Sequence, residues 1–224
     1  MQGTTWPVFE SELELPFAFT WGSDIPHAGH GFNEWSNGIK NVNTSGNILV
    51  IRGYFFRDES ESMESGKQLG LRRVRRLIRY LQLSEERIII EVIPRELDAD
   101  AREHPFAAID YEELFFSDVV KRSFDTLDVC FPLKNSFQLP GIINAQLEEW
   151  LIEHDEQKNG NTHIVGTADG TGIAEATDVA WERALVVKKK LIENGWYDDK
   201  IIITTGQRSS TQPVRNRCVI IYFE

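Results

Sequence analysis

The feature that most constrains the fold is a short apolar run that ends near a glycine and leads into an amphipathic helix. His163-Ile164-Val165 predicts a strand, and the glycine-rich residues 169–172 predict a turn. From about Ala174, small or apolar residues recur at spacings of three and four, which predicts a helix with one buried face. These residues are Val179, Ala180, Ala184, Val187 and Leu191. Gly195 follows three lysines and is a stop signal for this helix.

An acid and an arginine lie on either side of this turn. Asp169 directly follows Gly166-Thr167-Ala168, and Arg183 lies beside the buried face of the predicted helix. An acid and a guanidinium could therefore face one pocket. The alternative is that Asp169 caps the turn and Arg183 pairs with Glu182 or Asp178 on a solvated helix face.

The residues Gly166, Asp169, Arg183-Ala184, Val187 and Asn216-Arg217-Cys218-Val219 together carry a resemblance. They resemble the OmpA-like C-terminal domain family of OmpA, Pal and MotB. That family has a strand ending in Gly-x-Thr-Asp, a helix with Asn-x-x-Leu-Ser-x-x-Arg-Ala-x-x-Val and a final strand with Asn-Arg-Arg-Val. This chain has Ala168 at the threonine position and Ala176 at the asparagine position.

The resemblance implies binding of the diaminopimelate side chain of a peptidoglycan stem peptide. Asp169 would accept its ammonium and Arg183 would hold its carboxylate, with Gly166, Thr167, Asn216 and Arg217 in support. It further implies non-catalytic cell-wall anchoring, in the periplasm or at the outer membrane of a Gram-negative bacterium. The alternative is a degenerate OmpA-like module that assembles envelope proteins and does not bind peptidoglycan.

The same layout recurs in the first half of the chain. Asn47–Gly53 predicts a strand, the polar residues 57–66 predict a loop, and 67–83 predict a helix with Arg73 at the position of the motif arginine. Phe56 stands where the acid is expected, and Asp58 is close enough in sequence to substitute if the loop bends. We interpret this half as a degenerate copy.

Strand and helix patterns extend both copies into whole domains. The fold class predicted is α/β (α+β), with two tandem βαβαβ(β) modules, each a mixed sheet covered by helices, at residues 1–122 and 123–224. The first strands are expected at 15–21 and 129–137, and the first helices at 32–42 and 142–154. The closing strands are expected at 106–116 in the first copy, and at 200–205 and 217–223 in the second.

Composition restricts the classes of partner. Hydrophobic residues make up 41% of the 224 residues and charged residues 26%, typical of a soluble globular chain, and a net charge of −11 argues against nucleic acid. Arg72, Arg76 and Arg79 share a helix face. They predict either a site for an anionic partner or a solvated face balanced by acids such as Glu85 and Glu86.

Signals for catalysis and for metal binding are weak. No nucleophile motif, zinc signature or phosphate-binding loop occurs in the sequence, so we predict no enzymatic activity, no cofactor and no metal site. The acids at 58–64 predict an exposed loop. Cys130 and Cys218 are either buried small residues or, in an oxidising periplasm, a disulfide pair.

No apolar run approaches the roughly 20 residues that span a bilayer, and Met1 begins no signal peptide. If the resemblance holds, we expect that an export signal or membrane anchor has been lost from the chain.

Overall fold

A computed structural model describes residues 8–10, 12–96, 100–133, 137, 139–168, 173–207 and 217–224. The chain divides into two compact units, unit 1 at Met1–Glu113 and unit 2 at Leu114–Glu224. The division lies nine residues before the predicted boundary between modules. The intervening strand Val120–Arg122 pairs within the sheet of unit 2.

Unit 1 contains six strands and three α-helices among its described residues. The strands are β1 (Val8–Phe9), β2 (Phe17–Phe19), β3 (Pro26–Ala28), β4 (Ile48–Phe56), β5 (Ile88–Arg95) and β6 (Ile109–Leu114), the last of which ends one residue past the division. The helices are α1 (Phe32–Thr44), α2 (Met63–Leu81) and α3 (Asp100–Glu103). One sheet has the order β5-β4-β6, with β4 and β5 parallel, and a smaller sheet has the order β1-β3-β2.

The helix α2 begins four residues before the predicted position. Ser62 caps it, because the Ser62 hydroxyl accepts a hydrogen bond from the Ser65 N–H at 3.2 Å, and the Ser65 hydroxyl accepts one from the Ser62 N–H at 3.1 Å. Two orphan donors of the first turn are thus satisfied. Val74, Leu77 and other buried residues of α2 pack with Leu49 and Ile51 of β4 in the core of unit 1.

Unit 2 is built on a five-stranded mixed sheet of order β10-β9-β11-β8-β7. Its strands are β7 (Val120–Arg122), β8 (Thr126–Cys130), β9 (Thr162–Ala168), β10 (Ile201–Gln207) and β11 (Cys218–Phe223). Its helices are α4 (Phe116–Val119), α5 (Gly141–Glu153) and α6 (Ile173–Glu193). Strands β9 and β10 are parallel, while β11 is antiparallel to both β9 and β8. The predicted class, helices on mixed sheets, is confirmed.

Strand β8, the counterpart of the predicted first strand of unit 2, is shorter and begins earlier than the predicted 129–137. The Phe131 N–H still bonds the Arg217 carbonyl at 2.8 Å, but Pro132 follows and has no N–H with which to continue the ladder. Part of the predicted strand, 134–136 and 138, lies outside the described residues.

Helix α6 lies very close to β9 at Gly166. A Cβ atom at this position would lie 2.8 Å from the Ala180 carbonyl carbon, closer still to its oxygen, and 3.2 Å from the Ala184 Cβ. Only glycine leaves room for the helix backbone here. Along the described part of the chain, no helix combines the length and the apolar character needed to cross a membrane.

Candidate functional site

The sequence-predicted residues of unit 2 that the structure describes, Gly166, Thr167, Arg183 and Arg217, lie at one end of its sheet. In the strand register Cys218 is opposite Cys130, Val219 is opposite Gly166, and Gln207 is beside Ala168. The ends of β8 and β9 therefore flank the start of β11, and the end of β10 lies beside that of β9. Asp169 follows β9 in sequence and Asn216 precedes Arg217, and both lie outside the described residues.

Arg183 is fully buried at this end. The exposed fraction of Arg183 is 0%. Its guanidinium lies 5.3 Å from the centre of the Phe131 ring, and its Nη2 donates to the Leu133 carbonyl at 3.3 Å. The alternative in which Arg183 pairs with Glu182 or Asp178 on a solvated helix face is wrong, because no part of Arg183 reaches solvent. Close packing of α6 at Gly166 brings Arg183, one turn further along the helix, into the protein interior.

Thr167 and Arg217 hold the strand ends around this site. The Thr167 hydroxyl donates to the Cys218 carbonyl at 2.8 Å and accepts from the Cys218 N–H at 3.1 Å. Arg217 donates through Nη1 to the Pro132 carbonyl at 2.8 Å. Arg183 and Arg217 thus bond the neighbouring carbonyls of Leu133 and Pro132, so both fix the segment that leaves β8.

The two cysteines form a disulfide between β8 and β11 at the same end of the sheet. Of the two possibilities that the sequence left open, pairing is the one observed. The bond ties the end of β8 to the start of β11, so it supports the site without contributing a ligand group.

Unit 1 places an arginine in a matching position. Gly53 of β4 faces the carbonyl oxygen of Gly70, which lies three residues before Arg73. In unit 2, Gly166 faces the carbonyl oxygen of Ala180, which lies three residues before Arg183. The Arg73 guanidinium lies 5.3 Å from the centre of the Phe19 ring, the same distance as Arg183 from Phe131. The two units therefore share the helix-on-strand contact and the arginine-over-phenylalanine contact.

The carboxylate that meets Arg73 was not predicted. Asp58 does not substitute for the acid of the motif, because it is exposed and lies 3.6 Å from Arg102. Glu59, the next residue, pairs with Arg73, and both side chains have 0% exposure. The expectation of an exposed acidic loop is wrong at Glu59. A clue in the sequence was that Glu59 occupies the same loop after Gly53 that carries the acid in the motif.

The arginines of the exposed face of α2 meet a different acid from those expected. Arg72 and Arg76 lie 3.6 and 2.9 Å from the Asp24 carboxylate. Arg79 is exposed near the end of the helix. Their role as a site for an anionic partner stays a prediction.

A polar cluster on the sheet of unit 1 had no signal in the sequence. Arg52 of β4 bonds Glu91 of β5 at 3.0 Å and also pairs with Glu112 of β6. Burial, together with a hydrogen bond from its hydroxyl to Asp110, raises the pKa of Tyr54 above that of a free tyrosine. These residues join neighbouring strands, which is the common role of cross-strand polar pairs.

Comparison with known proteins gives distant structural likenesses. No family model matches the chain, and no curated protein matches it. The periplasmic domain of Helicobacter pylori MotB is 16% identical with a TM-score of 0.38, over 46% of this chain and 79% of that one. The OmpA-like domain of FopA1 from Francisella tularensis subsp. tularensis SCHU S4 is 14% identical with a TM-score of 0.36, over 47% and 80%.

The peptidoglycan-associated lipoprotein from Burkholderia pseudomallei is 17% identical with a TM-score of 0.37, over 43% of this chain and 89% of that one. These TM-scores are all below 0.5 and the identities all below 25%. The likenesses therefore assign neither a family nor a function to the chain.

Proposed function

We propose that unit 2 binds peptidoglycan without cleaving it, and so anchors a cell-envelope protein or complex to the cell wall. The observation that carries the proposal is the burial of the Arg183 guanidinium at the sheet end from which the chain continues into Asp169. The sequence resemblance supports it, since Gly166, Arg183 and Arg217 are motif positions and lie around this end together with Thr167. The proposal implies a location in the periplasm or at the outer membrane.

The ligand in this proposal is the diaminopimelate side chain of the stem peptide. Its free end carries an ammonium and a carboxylate, which Asp169 and Arg183 would bind through charge-assisted hydrogen bonds. Because Arg183 has 0% exposure in the free chain, the proposal requires that ligand binding exposes its guanidinium. The planar guanidinium fork fits a carboxylate in two-point contact, and a lysine in its place would act only as a point charge. Neither residue acts on a scissile bond, so the proposal needs no catalytic group and no cofactor.

The test is calorimetric titration of the intact chain with a diaminopimelate-containing muropeptide. Asp169→Ala and Arg183→Ala are each expected to cost about 2 to 5 kcal/mol of binding free energy, a loss of roughly 30-fold to several thousand-fold in affinity. Because Arg183 is buried and its removal can disturb folding, Arg183→Lys is measured beside it and is also expected to weaken binding. Lys189→Ala removes an exposed cation from the same helix and is the matched control.

Normal binding by the Asp169→Ala protein would refute the assigned site. Release of soluble fragments from purified sacculi by the parent chain would instead refute the non-catalytic role.

A module for protein assembly is the second candidate function. It is favoured by three exposed apolar side chains on α6, Trp181 at 43%, Leu185 at 37% and Ile192 at 42%. Their spacing of four and seven residues puts them on one helix face. If the folded parent chain does not bind the muropeptide, this candidate replaces peptidoglycan binding.

A further inference from the structure

The Arg73 guanidinium in unit 1 uses every hydrogen-bond donor that it has. An arginine side chain has five N–H donors. Nε donates to the Ser23 carbonyl at 2.9 Å, Nη1 to the Tyr54 carbonyl and to Glu59 Oε2, each at 3.0 Å, and Nη2 to the Thr20 carbonyl at 3.4 Å and to Glu59 Oε1. No donor remains for a molecule from solution.

The Glu59 carboxylate is bound as completely as the guanidinium. Besides the two-point contact with Arg73, Oε1 accepts the Gly22 N–H at 3.0 Å and Oε2 accepts the Phe56 N–H at 3.0 Å. A guanidinium fork and two backbone N–H groups, shielded from water, are the groups with which proteins recognise a carboxylate. These groups come from three separate parts of unit 1, and Glu59 reaches them from the short turn Arg57–Glu59 after β4.

We propose that unit 1 contains a carboxylate-binding site formed by Arg73, Gly22 N–H and Phe56 N–H, and that Glu59 fills it as a built-in ligand. The ligand class of the site is a small monocarboxylate. Because Glu59 is held beside the site by the chain itself, its effective concentration exceeds that of a dissolved carboxylate. Unit 1 therefore does not take an external carboxylate while Glu59 is present. The proposal concerns unit 1 and goes beyond the function proposed for unit 2.

The test uses Glu59→Ala in the intact chain, with acetate as the probe. This substitution removes the γ-carbon and the carboxylate, and acetate supplies the same atoms. Titration is followed by the amide NMR signals of Gly22 and Phe56, which report on unit 1 alone. We expect saturable shifts of both signals with acetate in the variant, and none in the parent chain. Neutral acetamide is expected to bind at least about tenfold more weakly, since it lacks the charge that strengthens these hydrogen bonds.

Glu61→Ala removes an exposed acid from the same loop and is the matched control, expected to behave like the parent. Absence of a saturable response in Glu59→Ala overturns the proposal, and so does a saturable response of the same two amides in the parent. If Glu59→Ala is unfolded in chloride buffer, its folding becomes the readout. Acetate, but not acetamide, is then expected to restore the far-UV circular dichroism of the parent, and failure to restore it overturns the proposal. None of these outcomes depends on whether unit 2 binds a muropeptide.

Discussion

Replacing Gly166 by alanine tests whether close packing of α6 on β9 shapes unit 2. The added Cβ would lie 2.8 Å from the Ala180 carbonyl carbon. Carbon atoms pack best at about 3.5 to 4.0 Å, so helix and strand must separate by at least about 0.7 Å. The Ala180 carbonyl group cannot rotate away, because it is part of the helix backbone.

The expected cost follows from this geometry. Overpacking of a dense core costs about 1 to 3 kcal/mol, and a backbone obstacle puts this site at the upper end. About 0.5 to 1 kcal/mol of this cost is offset, because alanine is more favourable than glycine within a strand. We therefore expect Gly166→Ala to lower the free energy of unfolding by about 2 to 3 kcal/mol. Gly206→Ala on β10 is the matched control, since its Cβ would lie 3.4 Å from the Val165 Cγ1 and displaces no backbone.

The measurement is urea unfolding with the disulfide intact, followed by amide NMR signals of β9 so that unit 2 is reported. With a slope of about 1 to 3 kcal/mol per molar urea, the midpoint should fall by about 0.7 to 3 M for Gly166→Ala. Gly206→Ala should leave it unchanged or raise it slightly. Equal midpoints for the two variants would refute the packing argument.

Three further predictions concern other contacts. Glu59→Gln should lower the free energy of unfolding of unit 1 by about 3 to 5 kcal/mol in chemical denaturation, because it leaves the buried Arg73 charge without its carboxylate. Reducing the disulfide of unit 2, which joins residues 88 positions apart, should lower the free energy of unfolding of unit 2 by about 4 to 5 kcal/mol, according to the chain-entropy model. In a double cysteine-to-alanine variant, reductant should leave the free energy of unfolding unchanged. The raised pKa of Tyr54 favours the neutral phenol in the folded state. The contribution of Tyr54 to the free energy of unfolding is therefore complete below the unfolded pKa of about 10, and it is lost as pH rises through the folded pKa. Tyr54→Phe should remove this alkaline loss from a plot of stability against pH.

Most strands and helices of both units were predictable because local chemistry determines them, but β1, β3, β7, α3 and α4 had no predicted counterpart. The spacing of Val179, Ala180, Ala184, Val187 and Leu191 predicts the buried face of α6; the last four are buried and Val179 is half-buried. The parallel between Arg73 and Arg183 was also predictable, since each lies in the helix that follows a strand with a packing glycine, 20 residues after Gly53 and 17 residues after Gly166. Element ends were less accurate where the signal was unusual, as at Ser62, where a serine rather than a glutamate completes the cap.

The sequence by itself determined the approximate positions of most strands and helices, and that an arginine lies beside the apolar face of one helix in each unit. Only the tertiary structure decided that Glu59 rather than Asp58 reaches Arg73, that Cys130 bonds Cys218, and that Arg183 is buried rather than solvated. The physical reason is the distance along the chain over which each interaction acts. Periodicity and caps act over a few residues, whereas each of these outcomes depends on strand register or loop path joining distant parts of the chain, which local spacing does not encode.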